Sequence, residues 1–317
     1  MPERIEKRCI YMKHGFKSQL PFFLMLLPGV FVLAVNNYIP MFGVIMAFQK
    51  YRFNENFFKS LFTSEFVGLT NFGFFFKSPN AYIVTRNTIL YNLVFIALDI
   101  IIPVMLAIGL NELRGKVMKK FYQSTLFLPY FLSWIVVSYL AYSFFSFESG
   151  FINRGLLRPL GLESINWYFE PKYWPAILIF FHLWKYVGYN IVVYLAAIVG
   201  IDPEYYEAAT LDGATKWQGI RHITIPLLKP LMVILGLLAV GRIFNADFGL
   251  FYNVPKNMGT LYSVTDVIDT YVFRALRNLN NVGMSSAAGL YQAVLGCITV
   301  FTANLIVRRI DSDKALF

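Results

Sequence analysis

Four charged side chains, Asp99, Lys185, Arg242 and Asp247, stand inside long apolar runs of this sequence. A charge at bilayer depth is costly, so each needs a partner or a wet cavity. Two uses fit. One is a path for a hydroxyl-rich solute, lined by fixed donors and acceptors. Its candidate residues are Lys185, Tyr189, Arg242, Asn245, Asp247 and Gln292. The other is internal helix glue, or pairing with a second membrane subunit. Helical spacing puts Arg242 and Asn245 on one face and turns Asp247 well away from them. The same spacing groups His182, Lys185 and Tyr189. Ser285, Gly289, Gln292 and Gly296 form a stripe in the last apolar run. Its small residues suit close helix packing, and Gln292 is the member that fits a pore lining.

No catalytic constellation accompanies these groups. The nearest approach to a phosphate loop is Gly109-Leu-Asn-Glu-Leu-Arg-Gly-Lys-Val117. Its glycines are one residue too far apart, and Val117 stands where Ser or Thr would hold magnesium. His14, His182 and His222 lack metal-ligand spacing. Cys9 and Cys297 suggest neither a disulfide framework nor a zinc site.

The elements that position these residues follow from composition. Of 317 residues, 57% are hydrophobic and only 15% are charged. Soluble domains average about 25% charged residues. The mean hydropathy of +0.55 means that much of the surface faces lipid. The formal charge of +10 is then expected to set orientation and to meet anionic headgroups, not nucleic acid.

A membrane-spanning helix needs about 20 predominantly apolar residues. Six segments qualify: 20–46, 82–113, 121–147, 173–199, 227–252 and 284–307. The expected class is all-α, a polytopic membrane protein with about six spans. The transmembrane domain covers 20–310, between an N-terminal segment 1–19 and a tail 311–317. The first span reads as a retained signal anchor. Pro103 and Pro129 are expected to interrupt the second and third spans. Basic residues are densest in the N-terminal leader (Arg4, Lys7, Arg8, Lys13, Lys17) and in the turn Arg114–Lys120. The positive-inside rule then puts both termini and the loop 200–226 in the cytoplasm. Aromatic stretches at 66–76 and 167–174 read as interfacial caps.

The loop 200–226 is the most informative stretch. Asp202 suits an N-cap and Pro203 a first helical position. Glu204 and Glu207 lie at that helix's positive end. Helix formers reach Leu211, and Gly213 breaks the run. A second short helix is expected from Ala214 to His222, with Pro226 starting the next span. Ala208, Ala209, Gly213 and Ala214 let a partner surface approach closely. Tyr206, Leu211 and Trp217 offer apolar anchors, and Glu207 and Asp212 offer charge. The loop is either a knob for a cleft on a soluble protein or an ordinary connection packed on its own bundle.

Glu207-Ala-Ala-x-x-Asp-Gly-Ala214, followed by Ile223-x-x-Pro226 and Pro230, resembles the EAA loop of bacterial ATP-binding-cassette (ABC) import permeases. The likeness is strongest to carbohydrate-uptake permeases of the maltose-transporter type. Val67-Gly-Leu-Thr-Asn-Phe72 and Asn87-Thr-Ile-Leu90 resemble further signatures of that class. Phe244-Asn-Ala-Asp-Phe-Gly-Leu-Phe-Tyr252 resembles its LplB-like subgroup, which handles complex oligosaccharides. Gly219-Ile-Arg221 departs from the bulkier aromatic residues usual there.

The resemblance implies a type I importer fold and a multi-pass place in the cell membrane. It implies a second homologous permease, two ATP-binding subunits and an extracellular solute-binding protein that delivers carbohydrate. Glu207, Ala208, Ala209, Asp212, Gly213, Ala214 and Pro226 would couple to the ATPase. ATP and magnesium would belong to those partner subunits; this chain would hold no cofactor and hydrolyse nothing. A permease for a non-sugar solute and a stand-alone secondary transporter remain the alternatives.

Overall fold

The computed structural model describes residues 19–52, 56–77, 79–113 and 115–310. Cys9, His14, Arg114, the leader basic residues and the tail 311–317 lie outside them.

Helix α1 is Gln19–Phe48, and no residue of its apolar window is buried within the chain. Its last turns, from Phe42, pack against the final helix. A two-residue strand β1, Gln49–Lys50, pairs antiparallel with β2, Glu65–Phe66, across the short helix α2, Phe57–Thr63. Helix α3, Thr70–Lys77, follows. Asn71, from the first-loop signature, donates to the carbonyls of Ala47 and Gln49 at 2.9 Å each. It thereby satisfies backbone acceptors where α1 ends.

Helix α4 is Pro79–Glu112, 34 residues long. At ~1.5 Å per residue this is about 51 Å, well beyond a hydrocarbon core of about 30 Å. Pro103 lies inside it, yet the helix is unbroken. Packing against neighbours compensates the missing bond in membrane helices. Asn87, of the second-span signature, donates to the carbonyl of Asp266 at 2.9 Å, and Thr88 Oγ1 accepts from the Ile268 amide at 3.0 Å. These residues fasten α4 to the late part of the chain.

The third span is broken. Helix α5, Lys116–Phe127, runs through the turn Leu128–Phe131 and is succeeded by α6, Trp134–Phe145. The two halves meet at a bend of 100°. Ser133 caps α6, its hydroxyl accepting from the Val136 amide, so the new helix starts cleanly after Leu132. Pro129, expected to interrupt this span, lies in that turn.

Helix α7, Trp174–Val199, packs along α4. Trp174 is fully buried among Tyr91, Leu178, Phe181 and Phe251. Its indole donates to the Trp167 carbonyl at 2.7 Å. A second cluster nearer the other end joins Val104, Ala107, Ile191, Tyr194 and Leu228.

Helix α8 is Glu204–Leu211. Helix α9, Lys216–Val240, corrects the expectation of a separate helix followed by a span starting at Pro226. One helix runs from the loop into the membrane. Its widened turn Ile220–Thr224, where the Ile225 amide reaches the Ile220 carbonyl, lies just before Pro226. A proline ring clashes with the carbonyl four residues back in a regular helix, and a widened turn relieves that clash.

The fifth span also ends early, at Val240, with an irregular turn from Gly241 to Asp247. Helix α10 is Phe248–Asn253. The amphipathic helix α11, Ile268–Leu279, and the last span α12, Val282–Ile310, complete the chain. Arg274 pairs with buried Asp266 at the start of α11. Burial pushes the Asp266 carboxyl above its ordinary range, against the pull of Thr270 and Arg274.

Candidate functional site

Two places carry the candidate residues: the 200–226 loop and the meeting of the two broken spans.

At the loop, Asp202 Oδ1 accepts from the Glu204 amide at 3.0 Å and starts α8. Gly213 ends it with φ +78°. The Gly213 amide reaches the Thr210 carbonyl at 3.0 Å and the Ala214 amide reaches Ala209 at 2.8 Å. This pair of bonds is the Schellman termination, which favours glycine because a side chain resists the left-handed region. Thr215 and Gln218 then form a capping box that starts α9. Tyr206 braces the bend, its hydroxyl 2.8 Å from buried Thr224 Oγ1 and its ring beside Gly219. The small Gly219, unlike a bulky aromatic, leaves room for that ring.

Tyr206, expected as an outward anchor, is half-buried, with its hydroxyl engaged within the chain. The apolar side chains presented outward are Tyr205, Trp217 and Leu211, the last 90% exposed. Glu207, Ala208 and Asp212 are exposed beside them, while Ala209 and Ala214 are half-buried. Pro226 is exposed within α9. Glu112 at the end of α4 takes Lys216 at 2.8 Å. The loop and the turn after α4 therefore lie at the same end of the bundle. A cleft of about 800 Å³ opens there, lined by Asn111, Lys119, Ile198, Tyr206, Glu207 and Leu211.

Inside the bundle, the irregular backbone of each broken span is held by groups from elsewhere. Lys185, buried on α7, donates to the Tyr130 carbonyl at 3.0 Å and to the Leu132 carbonyl. The Trp134 ring centroid lies 5.2 Å from its ammonium. A cation buried this way is neutralised by carbonyl dipoles and a ring face. Asp247 caps α10 by accepting from the Leu250 amide. It also accepts from Trp134 Nε1 at 2.9 Å and Tyr186 Oη at 2.7 Å. Gly249 allows this joint: a Cβ there would lie 1.9 Å from Trp134 Cδ1.

The fifth-span turn is braced equally. Asn92 donates to the Ile243 and Asn245 carbonyls at 2.8 and 3.1 Å. Gln292, expected at a pore, is buried and donates to the Phe244 carbonyl at 2.7 Å and to Asp269 Oδ2 at 3.2 Å. Arg242 and Asn245 do not share a helical face, because the helix has ended; both side chains are exposed from the turn. Of the three α7 residues grouped by spacing, His182 and Lys185 are buried and only Tyr189 is exposed, at 45%. Its ring stacks on Tyr130, centroids 4.9 Å apart and planes 15° apart. His182 joins Asp99 at 2.9 Å, with Phe95 stacked 3.7 Å over the imidazole.

Sequence reasoning missed Tyr130 and Trp134, which lie where the third span breaks. The Ser133 cap following Pro129 is the signal that marks the place.

Residues 99–312 match the family described as binding-protein-dependent transport system inner membrane component. The chain belongs to that family. It is a multi-pass permease of the ABC importer class. The polygalacturonan/rhamnogalacturonan transport system permease protein YteP of Bacillus subtilis (strain 168) is 32% identical over 92% of this chain and 88% of its own. Protein LplB of the same organism is 32% identical over 92% and 89%. Arabinooligosaccharides transport system permease protein AraP of Halalkalibacterium halodurans is 27% identical over 78% and 75%. Among solved structures, a chain of a bacterial alginate ABC transporter, crystallised with its alginate pentasaccharide-bound periplasmic protein, matches the permease with a TM-score of 0.82. That match has 31% identity and covers 94% of this chain and 97% of the other.

Proposed function

We propose that this permease forms half of the path of an oligosaccharide importer and couples it to ATP hydrolysis through the 200–226 loop. The observation that carries the reading is the loop itself. Two helices joined by a Schellman turn at Gly213 are braced by Tyr206 and run without interruption into the fifth span. A push on Leu211, Trp217 or Glu207 is passed along α9 to the turn at Gly241–Asp247. Two ATP-binding subunits receive this loop and its counterpart on a second, homologous permease. They carry the ATP and magnesium, and this chain hydrolyses nothing.

A type I permease pair alternates between inward- and outward-facing states. The two broken spans supply the irregular backbone such a path requires, since non-helical backbone at membrane depth is tolerated where protein or a wet cavity surrounds it. Tyr189, Arg242 and Asn245 are the exposed groups at that level, and a flat exposed ring on Tyr130 suits the apolar face of a sugar. Asp247, Lys185 and Gln292 hold the path's backbone in shape and do not touch cargo. An extracellular solute-binding protein delivers the carbohydrate, as the names of the relatives support. The unburied surface of α1 faces the second permease and lipid. Both termini lie in the cytoplasm with the loop.

The test is co-expression with the neighbouring genes and purification from membranes. The expected product is a complex of two different permeases and two ATPase copies. In vesicles it should accumulate oligosaccharide only with ATP and the binding protein. A stable monomer or homodimer that transports by itself would contradict the reading.

A further inference from the structure

Helix α8 carries much of the face offered to a partner, yet none of its residues is buried. Among the described residues its side chains make one hydrogen bond to another helix. That bond joins the Tyr206 hydroxyl to Thr224 Oγ1 at 2.8 Å. Thr224 is buried at the head of the apolar stretch of α9, two residues before Pro226. Along the chain, α8 reaches the same point only through the turn at Gly213 and the first turns of α9. The bond bypasses both.

The widened turn of α9 makes this contact possible. The Tyr206 ring lies beside Gly219, where a Cβ would stand 3.8 Å from Cδ1, while its hydroxyl sits on Thr224. Gly219 and Thr224 are five residues apart. On a regular helix such residues point about 140° apart. Between them the chain takes the turn Ile220–Thr224, whose bonds span five residues and bring positions five apart nearly into line. One tyrosine therefore lies along both. Its ring packs on the part of α9 that leaves the loop, and its hydroxyl holds the part that continues as the span. Helices kink at widened turns. Without the bond, a push on the loop bends α9 there instead of moving the span.

We propose that Tyr206 is a positioning residue for coupling. Bonded to Thr224, it locks α8 and both ends of the widened turn into one body, so that motion received at the loop moves the fifth span. This inference rests on the coupling reading above and names the contact through which it acts. Docking and transmission are then separate properties of one loop. The exposed Glu207, Leu211 and Trp217 serve the first, and the Tyr206–Thr224 bond serves the second.

The experiment uses the complete complex in proteoliposomes, with its binding protein and labelled oligosaccharides from hydrolysed pectin, alginate and arabinan. ATP hydrolysis and uptake are read on the same vesicles, and ATPase capture by pull-down. Tyr206→Phe removes one hydroxyl, Thr224→Val removes its partner, and Thr224→Ser keeps it. Tyr206→Phe and Thr224→Val should capture the ATPase normally and hydrolyse ATP. Their uptake per ATP should fall about two- to tenfold, the scale of one hydrogen bond. The double variant should lose no more than either single one, because both remove the same bond. Thr224→Ser should stay near the unaltered ratio. Unchanged uptake per ATP in Tyr206→Phe would overturn the inference, even if less complex assembled, since that is the mark of a merely structural bond. Lost ATPase capture would also overturn it, by making Tyr206 part of the docking face. Glu207→Lys is measured alongside. Normal capture and uptake in that variant would overturn the coupling reading instead, and no ATP-driven uptake by the unaltered complex would overturn the importer reading itself.

Discussion

The indole N–H of Trp134 donates to Asp247 Oδ2 at 2.9 Å, so the break in the third span and the break in the fifth share one carboxylate. Tyr186 of the fourth span donates to the same oxygen at 2.7 Å. Three spans are thereby pinned at one point, and that point lies where helices stop being regular.

Asp247→Ala removes an N-cap and leaves two donors unmatched. The expected cost is about 1–3 kcal/mol, seen as a lower melting temperature of the assembled complex. Asp247→Asn keeps one acceptor oxygen and should lose less. Equal loss in both variants would show that the carboxylate charge, and not its geometry, holds the joint.

His182 and Asp99 fasten α7 to α4 under the Phe95 ring. Removing His182 leaves the partly buried Asp99 carboxylate without this hydrogen-bond partner, at a cost of about 1–3 kcal/mol. His182→Leu alone should therefore reduce the yield of folded protein sharply. His182→Leu with Asp99→Leu should recover most of it, because a well-packed apolar pair often replaces an ion pair without loss. Thermal unfolding in detergent decides this. A double variant as unstable as the single one would mean that the pair acts through something beyond its own charges.

Much of this arrangement was legible in the sequence, and the remainder was hidden for a physical reason. The apolar segments and the end of α8 at Gly213 are local features: five of the segments hold a long apolar helix and the third holds a bent pair. Pro129 marked the break in the third span locally, but not the size of the bend: the chain turns through 100° there, held by Lys185, more than fifty positions away, which takes the carbonyls of Tyr130 and Leu132. The fifth span likewise stops at Val240 because Asn92, Gln292 and Asp269 bind the freed backbone that follows. Periodicity assumed a helix through Asp247 and so gave Arg242 and Asn245 a common face that does not exist.

Tyr189 is an exposed ring on α7, seated flat against Tyr130. Tyr189→Ala should lower apparent cargo affinity about three- to tenfold, the equivalent of an aromatic contact of about 0.5–1.5 kcal/mol. Tyr189→Phe should stay near the unaltered value if the ring face makes the contact. The concentration dependence of uptake separates the two. Unchanged affinity in Tyr189→Ala would move the contact elsewhere.

The central claim is that ATPase closure reaches the membrane through the Gly213 turn. A β-branched side chain at φ +78° is strained by roughly 1–3 kcal/mol, enough to misaim the loop without unfolding the spans. Glu207→Lys instead reverses a charge on its exposed face. Both Gly213→Val and Glu207→Lys should stay in the membrane with their partner permease. The deciding measurement is a pull-down of the ATPase subunit, made beside an uptake assay with labelled oligosaccharide on the same membranes. Weakened ATPase capture and lost uptake in both variants are predicted; normal capture with normal uptake would contradict the account.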